Sequence, residues 1–158
     1  MNNNVGIDKI MKKAFAIVAL LSAMLGCSPS DRKIESNWSE PANGLQFQIA
    51  PASQFHRNRD GVAMIEATCT IKNTGSVRAD VTHLARLYVV DSAGVTSQCQ
   101  RREDVADLVP ARPTVAPGDT TSWLQDGQIK VVPGVYDLYA VWDGNMNLKS
   151  PSVRITIK

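Results

Sequence analysis

The chain has 158 residues, 44% of them hydrophobic, and its 17 lysines and arginines nearly balance 15 acidic residues for a formal net charge of +2. A balance this even argues against nucleic acid or an anionic lipid surface as the main partner, because both require a concentrated excess of Lys and Arg.

At the amino terminus, Lys12 and Lys13 precede an apolar run from Ala14 to Gly26. A basic pair, an apolar stretch and small residues before a cleavage point are the parts of an export signal. Met11 offers an alternative start. The run has 13 residues. As a helix rising about 1.5 Å per residue it reaches roughly 20 Å, short of a bilayer core of about 30 Å. Its end, Met24-Leu25-Gly26-Cys27, resembles the lipobox of bacterial lipoproteins. That resemblance implies removal of residues 1–26, diacylglycerol on Cys27, and the two or three acyl chains that stable anchoring needs. The polar run Ser28-Pro29-Ser30-Asp31-Arg32-Lys33 suits a released, lipidated end, and Ser28 in place of Asp implies sorting to the outer membrane of a Gram-negative host, facing the periplasm.

Removal of the leader takes away Asp8, Lys9, Lys12 and Lys13, leaving a mature chain with equal numbers of basic and acidic residues. Beyond the inner membrane disulfides are permitted, so the two remaining cysteines, Cys69 and Cys99, are expected to form one bridge. Cys69 alternates in phase with Ile65 and Ile71, and Cys99 with Val95, which directs both toward a core.

Residues 27–44 are rich in Ser, Pro, Asn and charge, with Ile34 and Trp38 as their large apolar residues, and read as a flexible tether. Such a coil reaches roughly 21 to 25 Å. Residues 45–158 then suffice for one core and fall short of two. The period is two almost throughout: Leu45, Phe47 and Ile49 alternate with glutamines, and Ile65, Ala67, Cys69 and Ile71 alternate with polar residues. Further strands are expected over 81–90, 95–101, 114–123, 135–142 and 152–157, seven in all, with one short helical turn over 103–109. Turn signals separate them: Asp60-Gly61, Asn73-Thr74-Gly75, Asp91-Ser92-Ala93-Gly94, Pro117-Gly118-Asp119, Asp126-Gly127, Pro133-Gly134 and Asp143-Gly144. Parallel pairing would need helical crossovers that the sequence lacks, so the expected fold is an all-β antiparallel sandwich.

The marks Ile71-Lys72-Asn73-Thr74-Gly75, Leu87-Tyr88-Val89-Val90-Asp91 with Gly94, Val115-Ala116-Pro117-Gly118-Asp119 and Pro133-Gly134-Val135-Tyr136-Asp137-Leu138 follow one another along nearly the whole folded part. Their order is similar to that in immunoglobulin-like domains of secreted bacterial lipoproteins. The resemblance implies a seven-stranded immunoglobulin-like sandwich in which Tyr136 occupies a tyrosine-corner position, its hydroxyl on upstream backbone.

Residues that could carry chemistry are few. His56 and His83 are not at metal-ligand spacing with each other or with Cys69 and Cys99, and there is no Gly-x-Ser-x-Gly elbow. His83 reads as a partly buried histidine bonded to backbone. Asp143-Gly144-Asn145-Met146-Asn147 begins like a calcium loop, but Leu148 and Arg154 stand where that loop needs Gly and Glu, so a hairpin connection is the better reading. Trp142 shares a face with Tyr136, Leu138 and Ala140, which marks it as core, whereas Trp123 is a candidate exposed platform for a sugar ring. No catalytic residue, metal or cofactor is expected.

The expectation is therefore a non-catalytic, membrane-anchored lipoprotein whose domain binds a protein or another envelope component. A proteinase-inhibitor-like sandwich and a carbohydrate-binding module are the alternatives. Antiparallel alternation puts the connections 52–61, 91–94 and 124–134 at the end opposite the tether, and 74–79, 102–113 and 143–149 at the membrane side. Phe55, His56, Arg57 and Arg59 in the first far loop combine an aromatic with arginines, residue types enriched at binding hot spots; the alternative is an ordinary solvated loop with Phe55 folded back on the core. If that loop binds, exchanging Phe55 and Arg57 for Ala should leave stability intact.

Overall fold

A computed structural model of the chain describes residues 37–102, 111–144 and 147–158. The chain divides into two units, 1–35 and 36–158, and every described residue lies in the second. The leader, Cys27, the segment 103–109 and the centre of the calcium-like loop thus lie outside the described residues.

The strongest alternation of apolar and polar residues falls on β1 (Leu45–Pro51) and β3 (Val62–Asn73), which pair antiparallel from Leu45↔Asn73 to Pro51↔Ala67. The other edge of β3 takes β8 (Thr120–Lys130), from Val62↔Lys130 to Lys72↔Thr120, completing a three-stranded sheet β1-β3-β8. A second sheet is built around β9 (Gly134–Asp143). It runs β2 (Gln54–Phe55), β11 (Val153–Ile157), β9, β5 (Ala85–Val90) and β6 (Thr96–Gln98), with β10 (Asn147–Lys149) also pairing β9. All these pairs are antiparallel except β2 with β11. Two short strands, β4 (Ala79–Asp80) and β7 (Thr114–Val115), form a separate ladder.

Period-two alternation turns one face of each sheet inward, and the inward faces share one core. Phe47, Ile49, Ala63, Ile65, Cys69, Ile71 and Ile129 come from the first sheet, and Leu87, Val89, Leu138, Ala140, Trp142, Ile155 and Ile157 from the second. The chain crosses between the sheets early, since β1 pairs with β3 while β2, three residues on, pairs with β11.

The described residues hold eleven strands where seven are expected: β2, β4 and β10 form within or at the edge of expected connections, and the expected strand over 114–123 divides into β7 and β8. The expected strand over 81–90 breaks because the backbone N–H groups of Val81 and His83 bond Pro113 and Ala111, and regular pairing with β9 begins only at Ala85. β10 forms within the expected connection 143–149 and is separated from β11 by a bulge: Lys149 faces Val141 and Val153 faces Leu138, so the chain spends one residue more than β9 over this interval. Pro151 lies in that bulge and has no N–H to pair. Ser150 bridges it, its N–H donating to the Ala140 carbonyl at 2.9 Å and its Oγ accepting from the Ala140 N–H at 3.0 Å.

Asp126-Gly127 is not a turn. β8 runs straight through it, Asp126 facing Glu66 and Gly127 facing Ile65. Glycine is needed there for space, because a Cβ on Gly127 would lie 2.8 Å from the Cys99 Cβ. The connection expected over 124–134 contracts accordingly to 131–133.

The tether is shorter than expected. Phe47 donates its N–H to Ser39 Oγ, Ser39 donates its own N–H to the Phe47 carbonyl, and Ala42 and Leu45 exchange two backbone bonds. Thr74 and Gly75 both donate to the Gly44 carbonyl. Gly44, at φ 77°, packs backbone to backbone on Gly75, where a Cβ would lie 2.8 Å from the Gly75 Cα. Residues 39–44 therefore belong to the folded part and fix the end at which the chain enters it.

Candidate binding surface

Three connections meet at the end opposite that entry. The first, between β2 and β3, contains the residues singled out in the sequence. Phe55 is not exposed: as part of β2 it is 7% accessible and packs into the core. Period two then turns His56 outward. Arg57 is half-buried and serves the fold, with its N–H on the Lys158 carbonyl and its Nη1 donating to the Val131 carbonyl at 3.0 Å. Asn58 Oδ1 accepts the N–H groups of Asp60 and Val62, each at 2.9 Å, and closes the turn before β3. Arg59 is exposed. Of the four residues, His56 and Arg59 are presented to solvent, while Phe55 and Arg57 hold the end together.

In the second connection, Asp91 Oδ1 accepts from the N–H groups of Ala93 at 2.9 Å and Val95 at 2.8 Å. In the third, Tyr136 donates its hydroxyl to the Val132 carbonyl, four residues upstream, at 2.8 Å. The turns held this way push apolar side chains outward: Val132 is 71% exposed, Val95 59% and Val135 54%. Their signal in the sequence is Val131-Val132-Pro133-Gly134-Val135, in which valines stand on both sides of a turn and cannot all face inward.

Two adjoining grooves are among those that open at this end. One of about 490 Å³ is lined by Val62, Gln98, Gln100, Gln128, Ile129 and Lys130. The other, about 270 Å³, shares Lys130 and reaches Asp91, Val95, Val132 and Tyr136. The expected far-end connections 52–61 and 91–94 are thus joined by 131–133, whereas the turns over 74–79 and the β9–β10 hairpin lie with the entry end.

Trp123 is not an exposed platform. It is half-buried against the core, its ring stacked between Phe47, with centroids 6.1 Å apart, and His83, 4.8 Å away. The exposure expected at a strand end does not arise, because β8 runs on to Lys130 and Trp123 is on its inward register, while its neighbour Leu124 faces out. His83 Nε2 lies 2.7 Å from Thr121 Oγ1, so its ring partner is a side chain; only its main chain bonds backbone. Burial lowers the His83 pKa below its ordinary value. Trp142 is core, as expected, its indole N–H donating to the Thr82 carbonyl at 2.7 Å.

The expected disulfide is absent. Cys69 and Cys99 are both free, buried thiols, and burial pushes each pKa up to about 12. Cys99 packs at Gly127, which faces Ile65, and Cys69 is four residues further along β3. At about 3.3 Å per residue that is roughly 13 Å, beyond the ~7 Å between Cα atoms that a bridge spans. Both cysteines face inward as their phase requires, but at different levels of the core. Among the described residues no group of three His, Cys, Asp or Glu side chains is placed to hold a metal ion.

No protein-family model matches the chain, and no curated protein does. Among solved structures, structural genomics target SoR45 aligns with a TM-score of 0.48 at 18% identity, over 72% of this chain and 86% of its own. The β-glucosidase from Listeria innocua in complex with gluconolactone aligns at 0.43 and 10% identity, over 72% of this chain and only 16% of its own. The CARDB domain of the PF1109 protein from Pyrococcus furiosus, in complex with di-metal ions, aligns at 0.42 and 12% identity, over 72% of this chain and 87% of its own. Likeness at this level bears on no activity or partner of this chain.

Proposed function

We propose that this chain is a bacterial lipoprotein, anchored through lipid on Cys27 in the outer membrane and facing the periplasm, whose immunoglobulin-like domain binds a protein or another envelope component without catalysing a reaction. The observation that carries the reading is the sequence Met24-Leu25-Gly26-Cys27 behind Lys12, Lys13 and an apolar run too short to span a bilayer. The immunoglobulin-like assignment is supported by the strand order, with β1-β3-β8 opposite β2-β11-β9-β5-β6 and the first strand divided between the sheets. It is supported also by the Tyr136 hydroxyl on the Val132 carbonyl, the bond a tyrosine corner makes. Binding at the far end is supported by the exposed valines gathered there, because loops on such domains carry most recognition and a tethered domain meets partners at its free end.

The test is membrane fractionation of the Cys27→Ser chain, together with photo-crosslinking in the envelope from Val95 and Val132. The variant should leave the membrane fraction, and both positions should crosslink one and the same partner. A variant chain retained after a high-salt wash overturns the anchor, and an absence of crosslinks from either position overturns far-end binding.

A further inference from the structure

Just past β6 the edges of the two sheets meet in an isolated bridge. Gln100 donates its N–H to the Gln128 carbonyl at 2.8 Å, and Gln128 returns the bond at 2.7 Å. On the far side of this bridge the edges part, and the groove of about 490 Å³ lies between them. The backbone phase on each wall follows from the bridge. Gln128 points its N–H and C=O away from β3, and residues two apart in a strand point the same way, so Lys130 turns both its groups into the groove. On the other wall Cys99 donates to the Leu87 carbonyl, on the β5 side, so Gln98 turns its N–H and C=O away from β5 and into the same groove. Among the described residues no strand pairs with β6 or β8 there.

Opposed backbone donors and acceptors that no neighbouring strand takes up are what an added strand satisfies. The groove's floor is apolar, from Val62 and Ile129, and its walls carry the amides of Gln98, Gln100 and Gln128. Lys130 is the single charged residue in the lining. The volume lies within the range of about 300–1,000 Å³ typical of ligand sites. β6 itself, Thr96-Ser97-Gln98, has neither the charge nor the proline that guards an edge against pairing.

We propose that the cleft between β6 and the end of β8 takes an extended peptide strand of a partner protein, paired by its backbone to Gln98 and Lys130 and carrying an acidic side chain opposite the Lys130 ammonium. The cleft opens beside the exposed Val95 and Val132, so this occupant deepens the binding role proposed above and rests on it.

The probe is a synthetic heptapeptide alternating Thr and Val around a central Glu, compared with its central-Lys counterpart and with a form N-methylated at alternate residues. Affinity and backbone hydrogen exchange are measured on the full chain in detergent. The acidic peptide should bind saturably, protect the amides of Gln98 and Lys130, and lose its binding on N-methylation. Lys130→Glu should weaken it by about ten-fold and transfer the preference to the central-Lys peptide. Gln98→Pro removes an N–H that faces the groove and leaves the β5 ladder intact, so it should weaken both peptides, whereas Gln98→Ala should bind as the parent does. Binding by neither peptide, or binding indifferent to N-methylation and to Lys130→Glu, overturns the cleft. Partner crosslinking from Val95 and Val132 persisting in Gln98→Pro and Lys130→Glu would do so as well, while leaving the binding module itself standing.

Discussion

Cys99 and Gly127 meet where the two sheets touch, the cysteine from the segment after β6 and the glycine from the middle of β8, so close that a Cβ on the glycine would lie 2.8 Å from that of the cysteine. The neighbouring residues, Gln100 and Gln128, then exchange two backbone bonds. Gly127→Ala should therefore wedge the sheets apart and destabilise the fold by about 1–3 kcal/mol, the usual cost of overpacking a core. The urea midpoint measures it; a midpoint unchanged from the parent would show that the segment at Cys99 yields freely.

The thiols give a second expectation. In the Cys27→Ser chain, Cys69 and Cys99 should be silent to a thiol reagent while folded, and two thiols should titrate once the chain is denatured without reductant. Each thiol has its pKa pushed up from 9.0 to about 12 in the folded chain, so between those values the unfolded chain has lost protons that the folded chain keeps. Their contribution is complete below about pH 9 and is lost as pH rises toward about 12. The reading is a difference: the alkaline fall in urea midpoint should be shallower in Cys69→Ala than in the parent.

At the acid side His83 acts with the opposite sign. Burial lowers its pKa, so the unfolded chain takes up a proton near pH 6.5 that the folded chain resists. The contribution of His83 is therefore complete above that pH and declines as pH falls below it. NMR titration of the imidazole should give a midpoint below 6.5, and the proton's arrival should loosen the stack on Trp123, seen as a change in indole fluorescence. A midpoint at or above 6.5 would contradict the burial.

Phe55 separates core from loop. Because it is buried in β2, Phe55→Ala should cost about 3–5 kcal/mol, and the double exchange with Arg57 cannot leave stability intact. His56→Ala and Arg59→Ala, both at exposed positions, should stay within about 0.5 kcal/mol of the parent. Thermal unfolding of the three single variants tests the division; equal stability for all three would return Phe55 to the surface.

The bulge between β10 and β11 makes a further prediction. Ser150→Ala removes the Oγ that accepts from the buried Ala140 N–H, and one unsatisfied buried donor costs about 1–3 kcal/mol. Ser150→Thr retains the hydroxyl and should recover part of that loss in urea unfolding.

Much of the architecture is legible in the sequence because it rests on period two. Where apolar residues alternate without interruption, at 45–49, 65–71 and 135–142, strands form on that phase, and inward residues such as Leu138, Ala140 and Trp142 are core. Local turn chemistry is legible for the same reason, since Asp91 Oδ1 reaches only its own neighbours. What the sequence leaves open is every choice that depends on a distant neighbour. Asp126-Gly127 carries the composition of a turn, and only the approach of Cys99 from the other sheet decides that the glycine is there for room. Cys69 and Cys99 both have the phase of core residues, but their separation follows from the register of β3 against β8, which no spacing along the chain fixes. Along the sequence Phe55 reads either as a loop aromatic or as folded back on the core, and Trp123 reads as free at a strand end. The tertiary structure buries the first through pairing of β2 with β11 and encloses the second between Phe47 and His83, because the nonlocal contacts that cover a side chain are made by segments far along the chain.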